Sequence, residues 1–416
     1  MNIVKLSSLG TLRNGMNYSK SYSKKGCKII GVADFGDRVF PEYDTLSEID
    51  SSIVKEEDLL RDGDILFVRS NGNKNLVGRS LYISCVKEPV CYSGFCILFR
   101  PNSNIVCPEY LFYVLRSPFC KKQYSYSQQT NITNLSQGVL GSVNVPLPSM
   151  GTQKKLAKVF SLLDKKILLN NQINAELEAL AKTIYDYWFL QFEFPNEEGL
   201  PYKSSGGKMV WSEELMREIP VIFTKINVMD LIEVKDGTHD SPKYVSEGKY
   251  LVTSKHLLDR GINFEEANHI SDRDFELINQ RSKVDTGDIL FSMIGAVGTV
   301  YRVDEEIINF AIKNVALYKT SANTEYEYYL YWTLKSELMN QYIKNVMAGS
   351  IQKFIPLGSL RTMPITYNKN IIKIFSEVVG PIMKTMSQIK KETKELAALR
   401  DWLLPMLMNG QVGFKE

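Results

Sequence analysis

Residues 63–67 read GDILF, and residues 287–291 read GDILF again, 224 positions further on. Around this word the chain repeats in order. "RDGDILFVRSNGN" (61–73) aligns with "DTGDILFSMIGAVG" (285–298), each an acidic-glycine turn, an apolar strand and a glycine-containing loop. Downstream, "EYLFYVLRSP" (109–118) matches "YYLYWTLKSE" (328–337), both with apolar residues at helical spacing and a basic-Ser ending. Then "SQQTNITNLSQGVLGSVNVPLPS" (127–149) matches "MAGSIQKFIPLGSLRTMPI" (347–365), and upstream "LRNGMNYS" (12–19) stands where "VKDGTHDS" (234–241) stands. A chain written twice is constrained to fold as two copies of one scaffold.

Each copy ends in a long amphipathic helix. In 153–189 the apolar positions Leu156, Phe160, Leu163 and Ile167 step by three and four, and the frame resumes after Asn170 at Ile173, Leu177, Leu180, Ile184 and Tyr187. In 371–408 the seam reads Ile371, Phe375, Val378, Ile382, Met386, Ile389, Leu396 and Leu403. Such spacing sustained over this length is that of a coiled-coil seam, with Asn170 and Thr393 as polar breaks able to fix register. A helix of about 37 residues is roughly 55 Å long at 1.5 Å per residue, so each needs a partner. Either the two pair with each other, antiparallel, or each packs on its own domain. The segment 191–220, with its prolines, glycines and serines, reads as a linker in which "KMVW" suggests one short packed strand.

The fold class expected is therefore α+β: two tandem mixed α/β domains and two long helices forming an antiparallel coiled coil, a pseudo-twofold internal repeat. The expected bounds are 1–150 for the first domain, 151–190 for the central helix, 191–220 for the linker, 221–365 for the second domain and 366–416 for the distal helix. A chain of 416 residues exceeds what one core usually serves.

Several function classes are disfavoured. The start of the chain is polar around Lys5 and Arg13, and no run approaches 18 apolar residues, which points to a cytoplasmic chain without a membrane span. The six cysteines all lie in the first third and the three histidines in the second half, without C-x-x-C spacing, so no zinc site or thiol-protease pair is expected. Walker A, G-x-S-x-G, H-E-x-x-H and deaminase patterns are missing, as is the Asn/Asp-Pro-Pro-aromatic motif of an amino-methyltransferase. No catalytic residue and no metal ligand is assigned. Net charge is +3 overall, +4 in residues 1–150 and −3 in 220–365, so any nucleic-acid surface must be a local patch.

What remains are polar loops at matching places. The first domain offers Arg69, Ser70, Asn71, Asn73 and Lys74, then Gln128, Gln129, Thr130 and Asn131. The second offers Thr238, His239, Lys243, Ser254, Lys255 and His256, then Ser350, Gln352 and Lys353. Arg pairs with guanine, Asn and Gln with adenine, and Ser, Thr and Lys hold phosphates or base edges. The same residue types also make hydrated turns; as a set, the loops suit DNA.

Four stretches carry a family resemblance. They are "VPLPSMGTQKKLAKVFSLLDKKILLNNQINAELEALAKTIYDYWF", "FPNEEGLPYKSSGGKMVWSEELMREIP", "KDGTHDSPKYVSEGKYLVTSKHL", and "GDILFSMIGAVG" with "FAIKNVALYK". With them the chain resembles the specificity subunit of type I restriction–modification systems, in which two target-recognition domains alternate with two conserved helices. The first domain departs more, with "RNGMNYSK" where the second has "DGTHDSPK". The resemblance implies a subunit that is no enzyme by itself and reads a bipartite target in double-stranded DNA with a fixed unread gap. It implies two methyltransferase subunits recruited along the helices, and restriction/translocase subunits besides. S-adenosylmethionine, ATP and Mg would sit on those partners, with no cofactor bound by this chain. The recognition subunit of a type IIB-like system, a non-DNA coiled-coil adaptor and an autonomous enzyme with an unrecognised site remain alternatives at this point.

Overall fold

A computed structural model describes residues 2–18, 26–36, 38–125, 134–259, 261–347, 349 and 353–408. The chain divides into two compact units, one of Met1–Asn171 with Lys391–Glu416 and one of Gln172–Lys390. Each unit therefore takes part of both long helices.

The repeat in the sequence is a repeat in topology. The first unit has a four-stranded antiparallel sheet in the order Gly10–Asn14, Cys96–Pro101, Ile65–Val68, Ser80–Tyr82. The second unit has Val234–Asp236, Val315–Tyr318, Ile289–Ser292 and Val300–Arg302 in the same order. Beside it each unit has a second sheet built around a parallel pair, Cys27–Ile30 with Val90–Tyr92 in one and Lys249–Thr253 with Phe310–Lys313 in the other. Each also has a two-stranded closure, Asn2–Lys5 with Asn144–Leu147 and Thr224–Asn227 with Pro364–Tyr367. A helix pair follows in both, Pro108–Arg116 with Pro118–Ser125 and Glu327–Leu334 with Glu337–Val346. Ser117 and Ser336 divide the two pairs at equivalent positions, each with its hydroxyl donating 2.6 Å to the carbonyl three residues back.

The doubled word has a packing reason. Its Ile-Leu-Phe forms the start of a central strand in each four-stranded sheet, buried at every position, which suits an uninterrupted apolar run. Gly63 and Gly287 sit at φ +92° and +88°, where a side chain would be strained. Asp64 and Asp288 are buried and close the turn by accepting from the amides of Arg61 and Asp285, 2.8 Å in both copies. Each then meets a cation at the end of the neighbouring strand or just beyond it, Arg100 at 2.7 Å and Lys319 at 2.6 Å. Gly15 and Gly237 are the second matched pair: a Cβ would lie 2.1 Å from the Ser93 carbonyl oxygen and 2.4 Å from that of Ile312.

The long helices run Met150–Tyr185, continued by a π-helical turn at Asp186–Leu190, and Lys369–Met408. In the first unit they are antiparallel, with Asp164 bonded to Arg400 at 2.7 Å and Asn170 donating to Thr393 at 3.2 Å and Glu392 at 2.8 Å. Thus the two polar breaks of the seams meet each other. In the second unit Tyr185 and Trp188 pack on Phe375, at 6.1 and 5.8 Å between ring centroids. The helices also pack on their domains: Leu156, Ala157 and Phe160 join the first unit's core, and Ala181, Tyr185, Phe375 and Val379 the second's.

The heptad seam needs correcting. Ile173, Leu180, Tyr187 and Val378 are exposed, whereas Ala181, Trp188, Val379 and Met383 are buried. Counted from Leu156, the buried line follows 3.6 residues per turn rather than 3.5, so it drifts about 20° per heptad away from the heptad frame. The stretch between the domains is itself folded. Met209–Ser212 pairs with Arg217–Pro220, Phe194 stacks on Tyr202 at 4.7 Å, and the Arg217 guanidinium lies 4.5 Å from the Phe192 ring centre.

Candidate nucleic-acid interface

In the first unit, the strand Ile65–Val68 runs into the loop that holds Arg69, Ser70, Asn71 and Asn73. The Arg69 and Ser70 amides donate to the Phe95 carbonyl (2.8 and 3.3 Å), and the Arg69 guanidinium donates to the Gly94 carbonyl at 3.4 Å. Leu135 N donates to Arg69 O at 2.8 Å, so three segments are stitched together here. Asn71 and Asn73 form consecutive Asx turns, their side-chain oxygens accepting from Asn73 N (2.8 Å) and Asn75 N (3.0 Å). Each Oδ1 keeps a second lone pair and each amide NH₂ both its hydrogens, which still allows a bidentate contact with adenine. Lys74 belongs to the short helix Lys74–Leu76, its side chain outside the described residues. Gln128, Gln129, Thr130 and Asn131 also lie outside them.

In the second unit the corresponding stitch is Ile355 N to Met293 O at 3.0 Å. Around the first loop a polar network forms. His239 Nε2 donates to Asp236 at 2.8 Å, and its Nδ1 meets the Asn314 side-chain amide at 2.8 Å. Asp236, buried, also takes the guanidinium of Arg281 from the end of helix Asp272–Ser282. Lys313 donates to Ser241 at 2.6 Å, and Thr238 Oγ1 accepts from Asp240 N at 3.1 Å. Beside this network a cleft of about 270 Å³ is lined by Thr238, Ser241, Asp274 and Arg281 among others.

The structure separates the second domain's candidates. His239, Lys243, Lys255 and Lys353 are exposed. Thr238, Ser254 and His256 are buried. Ser254 donates to the Asn314 carbonyl at 2.9 Å, and His256 Nδ1 accepts from Thr253 N at 3.0 Å, so both brace the loop from within. Burial, with Lys255 adding to it, lowers the His256 pKa from the usual 6.5 and keeps its ring neutral near pH 7. Ser350 and Gln352 lie outside the described residues. Sequence reasoning missed Phe95, Asp236, Arg281, Lys313 and Asn314. Asn314 owes its place to φ +54° in the one-residue connection between the strands Phe310–Lys313 and Val315–Tyr318, a conformation asparagine tolerates. Arg281 reaches Asp236 only through the tertiary packing of its helix. Among the described residues no cluster of His, Cys, Asp and Glu could hold a metal ion, and no helix is long and apolar enough to cross a membrane.

Comparison with known proteins gives four findings. Residues 1–179 match the family described as type I restriction modification DNA specificity domain. The chain is 26% identical over 347 residues to the type I restriction enzyme MjaIX specificity subunit of Methanocaldococcus jannaschii, covering 80% of this chain and 76% of that one. It is 25% identical over 414 residues to the HindI specificity subunit of Haemophilus influenzae, covering 85% and 87%. Among solved structures, a type I restriction-modification S subunit from M. genitalium shares the fold, with a TM-score of 0.57, 14% identity, and 98% and 95% of the two chains covered.

Proposed function

We propose that this protein reads a bipartite DNA target for a restriction–modification complex, a reading supported by the match of residues 1–179 to the type I DNA specificity domain family and by the similarity of most of the chain to type I specificity subunits. Two target-recognition domains, 1–150 and 221–365, would each read one half-site, and the helices of 151–190 and 366–416, with the linker 191–220, would join them. The observation that carries this reading is the doubled scaffold with unlike loops. The Asp-Gly turns, sheets and helix pairs are matched, while Arg69, Asn71 and Asn73 in one copy face no counterpart chemistry in the other. Unlike readers on a shared scaffold suit unlike half-sites.

The exposed and half-buried candidates divide into roles. Lys243, Lys255 and Lys353 carry full charges for phosphates, which position the duplex without reading it. Arg69, Asn71 and Asn73 carry the hydrogen-bonding patterns that read base edges, while His239, with both ring nitrogens engaged by Asp236 and Asn314, holds its loop in shape. Chemistry would belong to partners, two methyltransferase subunits and the restriction/translocase subunits, with S-adenosylmethionine, ATP and Mg bound there. Apolar side chains left exposed on the central helix, Leu162 and Leu169 in the first unit and Leu180 in the second, offer a contact surface for the methyltransferase subunits.

The test is single-molecule sequencing of DNA from cells that express this chain with its methyltransferase partner. Methylated adenines in one split motif with a fixed gap are expected. A partner that is active with another specificity subunit yet yields no split motif with this one would overturn the reading.

A further inference from the structure

Both domains join their two sheets at the same place, and there they differ by one residue. Tyr92 and Ile312 hold equivalent positions on the parallel strand, pairing with Ile30 and Val252. Cys96 and Val315 hold equivalent positions on the next strand, pairing with Val68 and Ser292. Between them the second domain has Lys313 and Asn314, and the first has Ser93, Gly94 and Phe95. The additional residue brings an aromatic ring that is 61% exposed and belongs to no apolar cluster of the described residues.

The backbone beneath that ring is fixed. Gly94 N donates to Met16 O at 2.7 Å and Cys96 N to Ser93 O at 2.8 Å, while Phe95 O accepts from both Arg69 N and Ser70 N. Phe95 is therefore held by the very loop whose side chains are the candidate base readers. The residues whose amides bond its carbonyl, Arg69 and Ser70, are polar, and the Arg69 guanidinium donates to the Gly94 carbonyl beside it. In the major groove the apolar group presented by a base pair is the thymine C5-methyl.

We propose that Phe95 is a specificity-determining residue of the first domain, reading thymine through contact of its ring with the C5-methyl. This rests on the DNA-recognition reading above. The shorter connection of the second domain carries no such ring, and Asn314 holds His239 there instead.

The test uses the full chain assembled with its methyltransferase partner. In Phe95→Ala, the methylated motif becomes degenerate at one thymine position of one half-site, while the other half-site and the gap stay as in wild type. Replacing that thymine by deoxyuridine removes only the methyl; wild type then loses about fourfold in affinity, the value of one buried apolar carbon, and Phe95→Ala loses nothing further. Phe95→Leu, which keeps apolar bulk, retains most of the discrimination and guards against a folding defect. An unchanged motif in Phe95→Ala, or an equal deoxyuridine penalty in both proteins, overturns the assignment. So does normal duplex binding with failed subunit assembly, which makes Phe95 a protein contact. Absence of any split motif in wild type is a separate result and defeats the DNA-recognition reading itself.

Discussion

Asp288 shows how much a single side chain in this scaffold has to satisfy. It is fully buried, its Oδ2 accepts from Asp285 N and from the Lys319 ammonium, and its Oδ1 accepts from Ser321 N at 3.1 Å. A buried carboxylate is tolerable only when paired in this way, and removing its charge leaves the Lys319 side chain, 12% exposed, without its nearest counter-charge. Asp288→Asn is expected to destabilise the second unit by about 2 kcal/mol, the order of a charge-assisted hydrogen bond rather than of an orphaned ion, since Lys319 keeps Asp285 at 2.8 Å. Hydrogen exchange on the intact protein checks this: the strand Ile289–Ser292 should lose protection while Ile65–Val68 keeps it. Equal loss in both strands would contradict an account in which each copy has its own buried pair. The same residues explain why the GDILF word was legible. Its glycine and aspartate are set by local turn geometry, which recurs in sequence because it recurs in structure. The candidate loops carry no such constraint, so their individual roles stay hidden: Asn71 and Asn73 serve turns, Ser254 and His256 turn inward, and Arg281 arrives from a separate helix.

At the scale of the element, the helix seams were legible as helices and as an antiparallel pair, but their faces were not. Apolar residues occur at both 173 and 177 and at both 180 and 184, so spacing alone favoured the heptad frame. Packing against the second domain through Tyr185, Trp188 and Phe189 selects the straight-helix line instead. In the first unit the pair is held by a polar contact as well as by apolar ones. Asp164 is buried, and Arg400 reaches it from the distal helix. Arg400→Leu is expected to cost about 3 kcal/mol, because Asp164 is then buried without this partner. The double variant Asp164→Leu/Arg400→Leu should recover most of that loss, as apolar replacement of a whole buried pair is often neutral. Protection of residues 391–400 against hydrogen exchange reports both. If the double variant is as destabilised as the single, the pair contributes through geometry that leucines cannot replace.

At the scale of the whole molecule, the proposed reading of a split DNA target would give the helices a use that no single domain has. Each is continuous from one unit into the other, since residues 150–171 and 391–408 belong to the first and 172–185 and 369–390 to the second. A helix cannot be lengthened without adding 1.5 Å per residue, so a heptad adds about 10.5 Å. Duplex DNA rises about 3.4 Å per base pair along one strand, which makes the addition equivalent to roughly three base pairs. One heptad inserted into both helices, near residues 167–173 and 385–390, is therefore expected to lengthen the unread gap by about three base pairs and leave both half-sites unchanged. Insertion into one helix alone should break the pairing of Asn170 with Thr393 and abolish binding to any split target. Sequencing of methylated adenines reads gap and half-sites in one measurement. A longer gap with the same half-sites would make the helices the ruler of the target. An unchanged gap in a folded, active complex would move that role to the partner subunits.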